Sequence, residues 1–193
     1  MDMEQQVNSV CRSGYAQLRN IGHIRQYLSS EATKSLVNCL VTSRLDYCNA
    51  LNGLPNTILS KLQRVQNTAA RIITRTARHD HITPVLKELH WLPVKYRVQH
   101  MILTHTYKAL HEQSPQYVKD MIDVYRPSRN LRSQDSTTLV VPRTRTVMYG
   151  NRSFSYAAPS LWNALPSNIR DASTLNMFKG LLQTHFFVLS YVN

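Results

Sequence analysis

Five cations are spaced for phosphate chemistry. After Lys61, basic residues follow at Arg64, Arg71, Arg75 and Arg78, at steps of three, seven, four and three. On a helix turning about 100° per residue they fall within an arc of roughly 100°. Ile58, Leu62, Val65, Ala69 and Ile72 form a separate apolar stripe. A helix over 57–77 that buries one stripe presents the other as a ladder of cations. Such a ladder matches a nucleic-acid backbone better than a small anion. A solvated amphipathic face accounts for the same spacing, so both readings stay open on these residues alone.

A second basic cluster comprises Arg126, Arg129, Arg132, Arg143, Arg145 and Arg152, interleaved with Tyr125, Tyr149, Phe154 and Tyr156. Arginine beside aromatic rings suits single-stranded nucleic acid, where bases stack and phosphates pair. The alternative is a hairpin whose aromatics cover the core and whose arginines are merely solvated.

Catalytic chemistry has no comparable pattern. Cys39 and Cys48 stand nine apart with no further cysteine near either, and His79-x-His81 has only Asp80 between its members. Neither is a zinc-ligand spacing, so no metal and no cofactor are expected. The acids are scattered, with no Asp-Asp pair for two-metal phosphoryl transfer. Asp46, beside Arg44 and Tyr47, reads as part of a structural ion pair or of a helix end rather than as a lone metal ligand. There is no phosphate-cradling glycine loop and no Gly-x-Ser-x-Gly elbow. The chain is expected not to be an enzyme.

The elements that must position these cations are helical. At 193 residues the chain makes one domain or two small ones. Its net charge is +12, with 16 arginines against 7 lysines, and arginine's planar fork leans towards phosphate. Charge alone does not choose between nucleic acid, membrane surface and acidic protein. No stretch approaches the roughly 20 apolar residues that span a bilayer, and Met1–Asn20 lacks a signal-peptide core. Three widely spaced cysteines read as reduced thiols. An intracellular protein of nucleus or cytoplasm, not secreted and not in a membrane, is the expectation.

The periodicities predict a mainly α fold, a helical bundle with a small β-hairpin in the C-terminal third. Val7, Val10, Cys11, Leu18, Ile21 and Leu28 mark a helix over 3–27. Ser30 caps a second through about Arg44, with Ala32, Leu36, Val37, Leu40 and Val41 inward. After the basic helix, Thr83-Pro84 opens a short helix to about His90, Pro93 opens a broadly buried one over 94–112, and Ser114-Pro115 another to about Ile122. Thr137–Val141 and Thr144–Tyr149 are the hairpin arms. Helices return over Arg152–Ala164 and, capped by Ser173, over Thr174–Phe187. Trp91 and Trp162 are expected to plug the core. The predicted regions are 3–80, 81–124 and 125–193.

Several of these segments, in order, resemble one family. They are VNSVCRSGYAQLRNIGHIRQYLSSEATKSLVNCLVTSRLDYCNAL, LSKLQRVQNTAARIITRT, DHITPVLKELHWLPVKYRV, YRPSRNLRS and FSYAAPSLWNALPSNIR. Together they are similar to the C-terminal part of reverse transcriptases of non-LTR, LINE-type retrotransposons, of the jockey-like group. The resemblance implies a thumb over residues 3–80 and a post-thumb extension over 81–193. It also implies that the palm with its catalytic aspartates would precede this region. In that family the thumb lies against the template–primer duplex, which favours the nucleic-acid reading of Lys61, Arg64, Arg71, Arg75 and Arg78. Where the family reads CNALLYGLP this chain reads CNALNGLP, a shortened turn at Leu51–Leu54.

The function these residues and the resemblance imply is non-catalytic and non-specific. The chain would grip RNA or an RNA–DNA hybrid through its phosphates, with the polymerase palm as a further partner. A helical interaction or assembly module and a remnant without a selected role are the alternatives.

Overall fold

The computed structural model describes residues 3–47, 53–125, 138–144 and 150–192. The chain divides into two compact units, one of Met1–Arg97 with Leu189–Asn193 and one of Val98–Val188. The divisions expected at residues 80 and 124 fall inside the first and the second unit respectively. Among the described residues the fold is mainly helical.

The first unit opens with α1 (Met3–Ile24), which buries Val7, Cys11, Gly14, Leu18 and Ile21 at steps of four, three, four and three. That spacing keeps one seam inward along the whole helix. A 3-10 turn at Arg25–Tyr27 reverses the chain. Ser29, not Ser30, caps α2 (Ser30–Val37), its Oγ accepting the Ala32 N–H at 3.1 Å.

α2 continues through a π-helical segment, Asn38–Thr42, into α3 (Ser43–Tyr47). The buried residues here are Thr33, Val37, Val41 and Leu45, each four apart. A uniform α-helix would rotate these by about 120° off one face over three such steps. The π turn absorbs one residue, so the seam drifts only about 20° and stays inward. Ala32, expected inside, is exposed, and Leu36 and Leu40 are half-buried.

α4 (Asn56–Thr74) runs parallel to α1. Near their starts Lys61 reaches Glu4 and Asn8. Midway, a β-carbon on Gly14 would lie 2.9 Å from Cγ1 of Val65. At their ends Arg25 bonds the carbonyls of Ile72 and Ile73. α3 returns antiparallel, its Arg44 donating to Ser13 Oγ. α4 buries Leu62, Val65, Gln66, Ala69, Ala70 and Ile73, whereas Ile58 and Ile72 are only half-buried.

Gln66 is polar and 3% exposed, and its bonds explain its place. Its Nε2 donates to the Leu92 carbonyl at 2.8 Å, while its Oε1 accepts from Gln63 at 3.0 Å. Gln63 Oε1 in turn accepts the Val94 N–H at 2.9 Å. The two glutamines therefore hold the turn at Leu92–Val94, between α5 (Ile82–Glu88) and α6 (Val94–Leu110). Trp91 beside that turn is buried, as expected. Asp46 does form a structural ion pair, with Arg97 rather than Arg44, through bonds of 2.6–2.9 Å.

In the second unit α6 buries Val98, Ile102, Leu103, Thr106, Tyr107 and Ala109, the broad burial its sequence predicts. Tyr107 stacks on Phe178, which stacks on the fully buried Trp162. Burial raises the Tyr107 pKa, and its hydroxyl donates to the Ala172 carbonyl at 2.8 Å. α7 (Gln116–Lys119) is a single turn. A 3-10 turn, Gly150–Arg152, leads into α8 (Phe154–Asn163), and a short α9 (Ser167–Arg170) follows that periodicity did not reveal. α10 (Leu175–Tyr191) is capped by Thr174, whose Oγ1 accepts the Met177 N–H at 3.2 Å, rather than by Ser173.

The small β-hairpin is not supported. Among the described residues there is no strand. Leu139 makes an isolated antiparallel bridge with Val124. The Asn163 amide takes both the N–H and the carbonyl of Leu139, at 2.9 and 2.8 Å. The backbone groups a hairpin partner would need are thus already bonded. Thr137 and residues 145–149 lie outside the described residues. No described helix is long and apolar enough to cross a membrane.

Candidate nucleic-acid interface

The helix that carries the cation ladder ends earlier than its spacing suggests. α4 stops at Thr74, and Arg75 adopts a left-handed conformation with φ 59°. The common arc therefore holds for Lys61, Arg64 and Arg71 but breaks at Arg75 and Arg78. A left-handed residue after the last helical one is a usual helix terminator.

Three of the five have partners inside the protein. Lys61 Nζ lies 2.8 Å from Glu4 Oε1 and 3.0 Å from Asn8 Oδ1. Arg71 donates to the Ala77 carbonyl and, at 2.8 Å, to the Asp80 carbonyl. Arg75 donates to the Arg25 carbonyl at 3.3 Å. A carbonyl carries no net charge, so these bonds do not pair either guanidinium with an anion. Arg64 and Arg78 are exposed.

Of the second cluster, Arg143 is exposed. Arg126, Arg129, Arg132 and Arg145 lie outside the described residues, as does Tyr149. Tyr125 is half-exposed, and Phe154 and Tyr156 are partly buried. Among the described residues no group of three or more His, Cys, Asp or Glu side chains is placed to hold a metal ion.

The parallel packing adds two cations that the spacing on α4 does not reveal. The contacts of Lys61 show that the Glu4–Asn8 flank of α1 adjoins the basic flank of α4. At about 100° per residue, Arg12, Tyr15 and Arg19 lie within about 60° of that flank. The Gly14–Val65 approach sets the register, so Arg12 stands roughly level with Arg64 and Arg19 with Arg71. Arg12 and Arg19 are both exposed. Each helix thus offers two arginines about 10 Å apart along its axis.

Carboxylates stand at the rims of this face, Glu4 at one end and Asp80, whose backbone carbonyl accepts from Arg71, at the other. Neither Asn8–Ile24 nor Asn56–Thr74 contains an Asp or Glu, and Glu4 at the rim is paired with Lys61. The signal is present in the sequence as an α1 with no Asp or Glu after Glu4 and arginines seven apart, but only the pairing of α1 with α4 gives it meaning. Arg25 is a further residue that spacing does not single out. Its Nε, Nη1 and Nη2 donate to the carbonyls of Ile72, Leu28 and Ile73, each at 2.8 Å, capping α4.

Comparison with protein-family models, curated proteins and solved structures finds no match for this chain.

Proposed function

We propose that this chain is a non-catalytic region of a retrotransposon RNA-directed DNA polymerase that grips RNA or an RNA–DNA hybrid through phosphate contacts. The observation that carries the reading is the pairing of α1 and α4 through Gly14 and Val65, which brings the acid-free stretches Asn8–Ile24 and Asn56–Thr74 together, with Arg12 roughly level with Arg64 and Arg19 with Arg71. Two rows of cations with no interspersed carboxylate attract an extended polyanion and have no means to read bases. The resemblance to LINE-type thumbs points the same way, and it makes the polymerase palm a second partner. Such work belongs in the nucleus or cytoplasm.

Titrating a fluorescent RNA–DNA hybrid at several salt concentrations tests this. Binding should weaken steeply with salt, with a slope near −0.9 per phosphate contacted, so about −3 to −4 for four arginines. Arg19→Gln and Arg64→Gln should each flatten the slope by about one. Lack of binding at low salt, or variants with an unchanged slope, would reject the reading.

A second reading has its own observation. Met177, Val188, Leu189 and Val192 on or beside α10 are 51%, 40%, 39% and 68% exposed. An apolar stretch of that kind favours an assembly module that self-associates. Light scattering that shows only monomer across a concentration series would exclude it.

A further inference from the structure

Two tyrosines stand among the arginines of the first unit with their rings in water. Tyr15 is 41% exposed and Tyr27 is 81% exposed. Tyr15 lies three residues after Arg12 and four before Arg19 on α1, the spacings that place side chains on one side of a helix. Tyr27 ends the 3-10 turn that begins at Arg25, whose carbonyl receives the Arg75 guanidinium. Tyr15 therefore borders the cationic face of α1 and α4, and Tyr27 lies two residues beyond the Arg25 carbonyl that Arg75 reaches.

Phosphate contacts alone do not call for aromatic rings. In a duplex the base faces are stacked on one another and unavailable, so exposed tyrosines add nothing to its binding. An unpaired strand presents base faces, and those stack on aromatic side chains whatever the base. Arginines then hold the phosphates on either side of the stacked base. That arrangement, cation, ring, cation along one helix, is what Arg12, Tyr15 and Arg19 make.

We infer that the α1/α4 face takes single-stranded nucleic acid, with Tyr15 and Tyr27 as base-stacking platforms between phosphate-holding arginines. The inference rests on the phosphate-binding reading above and names its preferred ligand.

The test compares three fluorescent ligands of equal length at one salt concentration: a mixed-sequence single strand, the same strand made abasic, and the duplex. The whole chain should bind the base-bearing strand about tenfold or more tightly than the abasic one. Tyr15→Leu with Tyr27→Leu should abolish that difference and leave abasic binding and its salt slope unchanged. Tyr15→Phe with Tyr27→Phe keeps the rings and should retain it. Equal affinity for base-bearing and abasic strands, or discrimination that survives the leucine changes, overturns the inference while leaving phosphate binding in place. Failure to bind any of the three overturns both.

Discussion

The Nη2 of Arg25 donates to the carbonyl of Ile73 at 2.8 Å, across 48 positions of sequence. The last carbonyls of a helix have no partner within it. A guanidinium at that end satisfies them and also lies favourably in the field of the helix dipole. Arg25 therefore fastens the end of α1 to the end of α4, and so helps to fix the register on which the cationic face depends.

Replacing this group should loosen the first unit. Arg25→Gln loses charge-assisted bonds to Ile72, Leu28 and Ile73, and should destabilise the protein by about 2 kcal/mol in urea unfolding. An unchanged midpoint would show that water replaces the guanidinium at no cost.

The glycines of α1 should respond in opposite directions. At Gly22 a β-carbon meets nothing within 4 Å, so Gly22→Ala should stabilise by about 0.5–1 kcal/mol through helix propensity. At Gly14 the new carbon would lie 2.9 Å from the stiff Val65 side chain. There the overpacking penalty, about 1–3 kcal/mol, should cancel or exceed the propensity gain. Thermal melts of the two variants side by side check the ordering.

Gln66→Leu keeps the volume and removes the donor. The Leu92 carbonyl would then be left without the Gln66 amide, at a cost of about 1–3 kcal/mol. A stabilised variant would mean that the glutamine pair is not what holds the turn before α6.

Alkaline stability should report on Tyr191. Its hydroxyl donates to the Trp91 carbonyl at 2.6 Å, and burial pushes its pKa up to about 12. The folded chain thus holds this proton more tightly than the unfolded chain does. Its contribution is complete below about pH 10 and is lost as the pH rises towards about 12. Tyr191→Phe removes that dependence, so the stability gap between wild type and variant should shrink over the same interval. A gap that stays constant would count against the assignment.

Much of the helical plan is legible in the residue order alone. The four-three repeat of Val7, Cys11, Leu18 and Ile21 gives α1, whereas the four-four-four run from Thr33 to Leu45 shows only in the burial, because Thr33 is polar and Ala32, Leu36 and Leu40 offer a competing apolar face. Gln66 lies off the stripe of Ile58 to Ile72, so its burial, which requires a polar group to find a partner, shows only in the structure. The ends of elements are less legible. Arg75, Ser29 and Thr174 end or cap helices through local backbone geometry that neighbouring residues could equally have supplied.

By itself the sequence determined the helical class, the apolar seams and a surplus of arginine without carboxylates on two segments, because periodicity and charge are properties of the chain. The tertiary structure decided which cations share a surface. Arg12 and Arg64 are 52 positions apart, and their common level depends on the close approach at Gly14 and the capping by Arg25. It also decided that Lys61 answers Glu4 and that Arg71 and Arg75 hold backbone carbonyls. Helical spacing sets the direction in which a side chain leaves its own helix. What it meets there is set by the packing of the others.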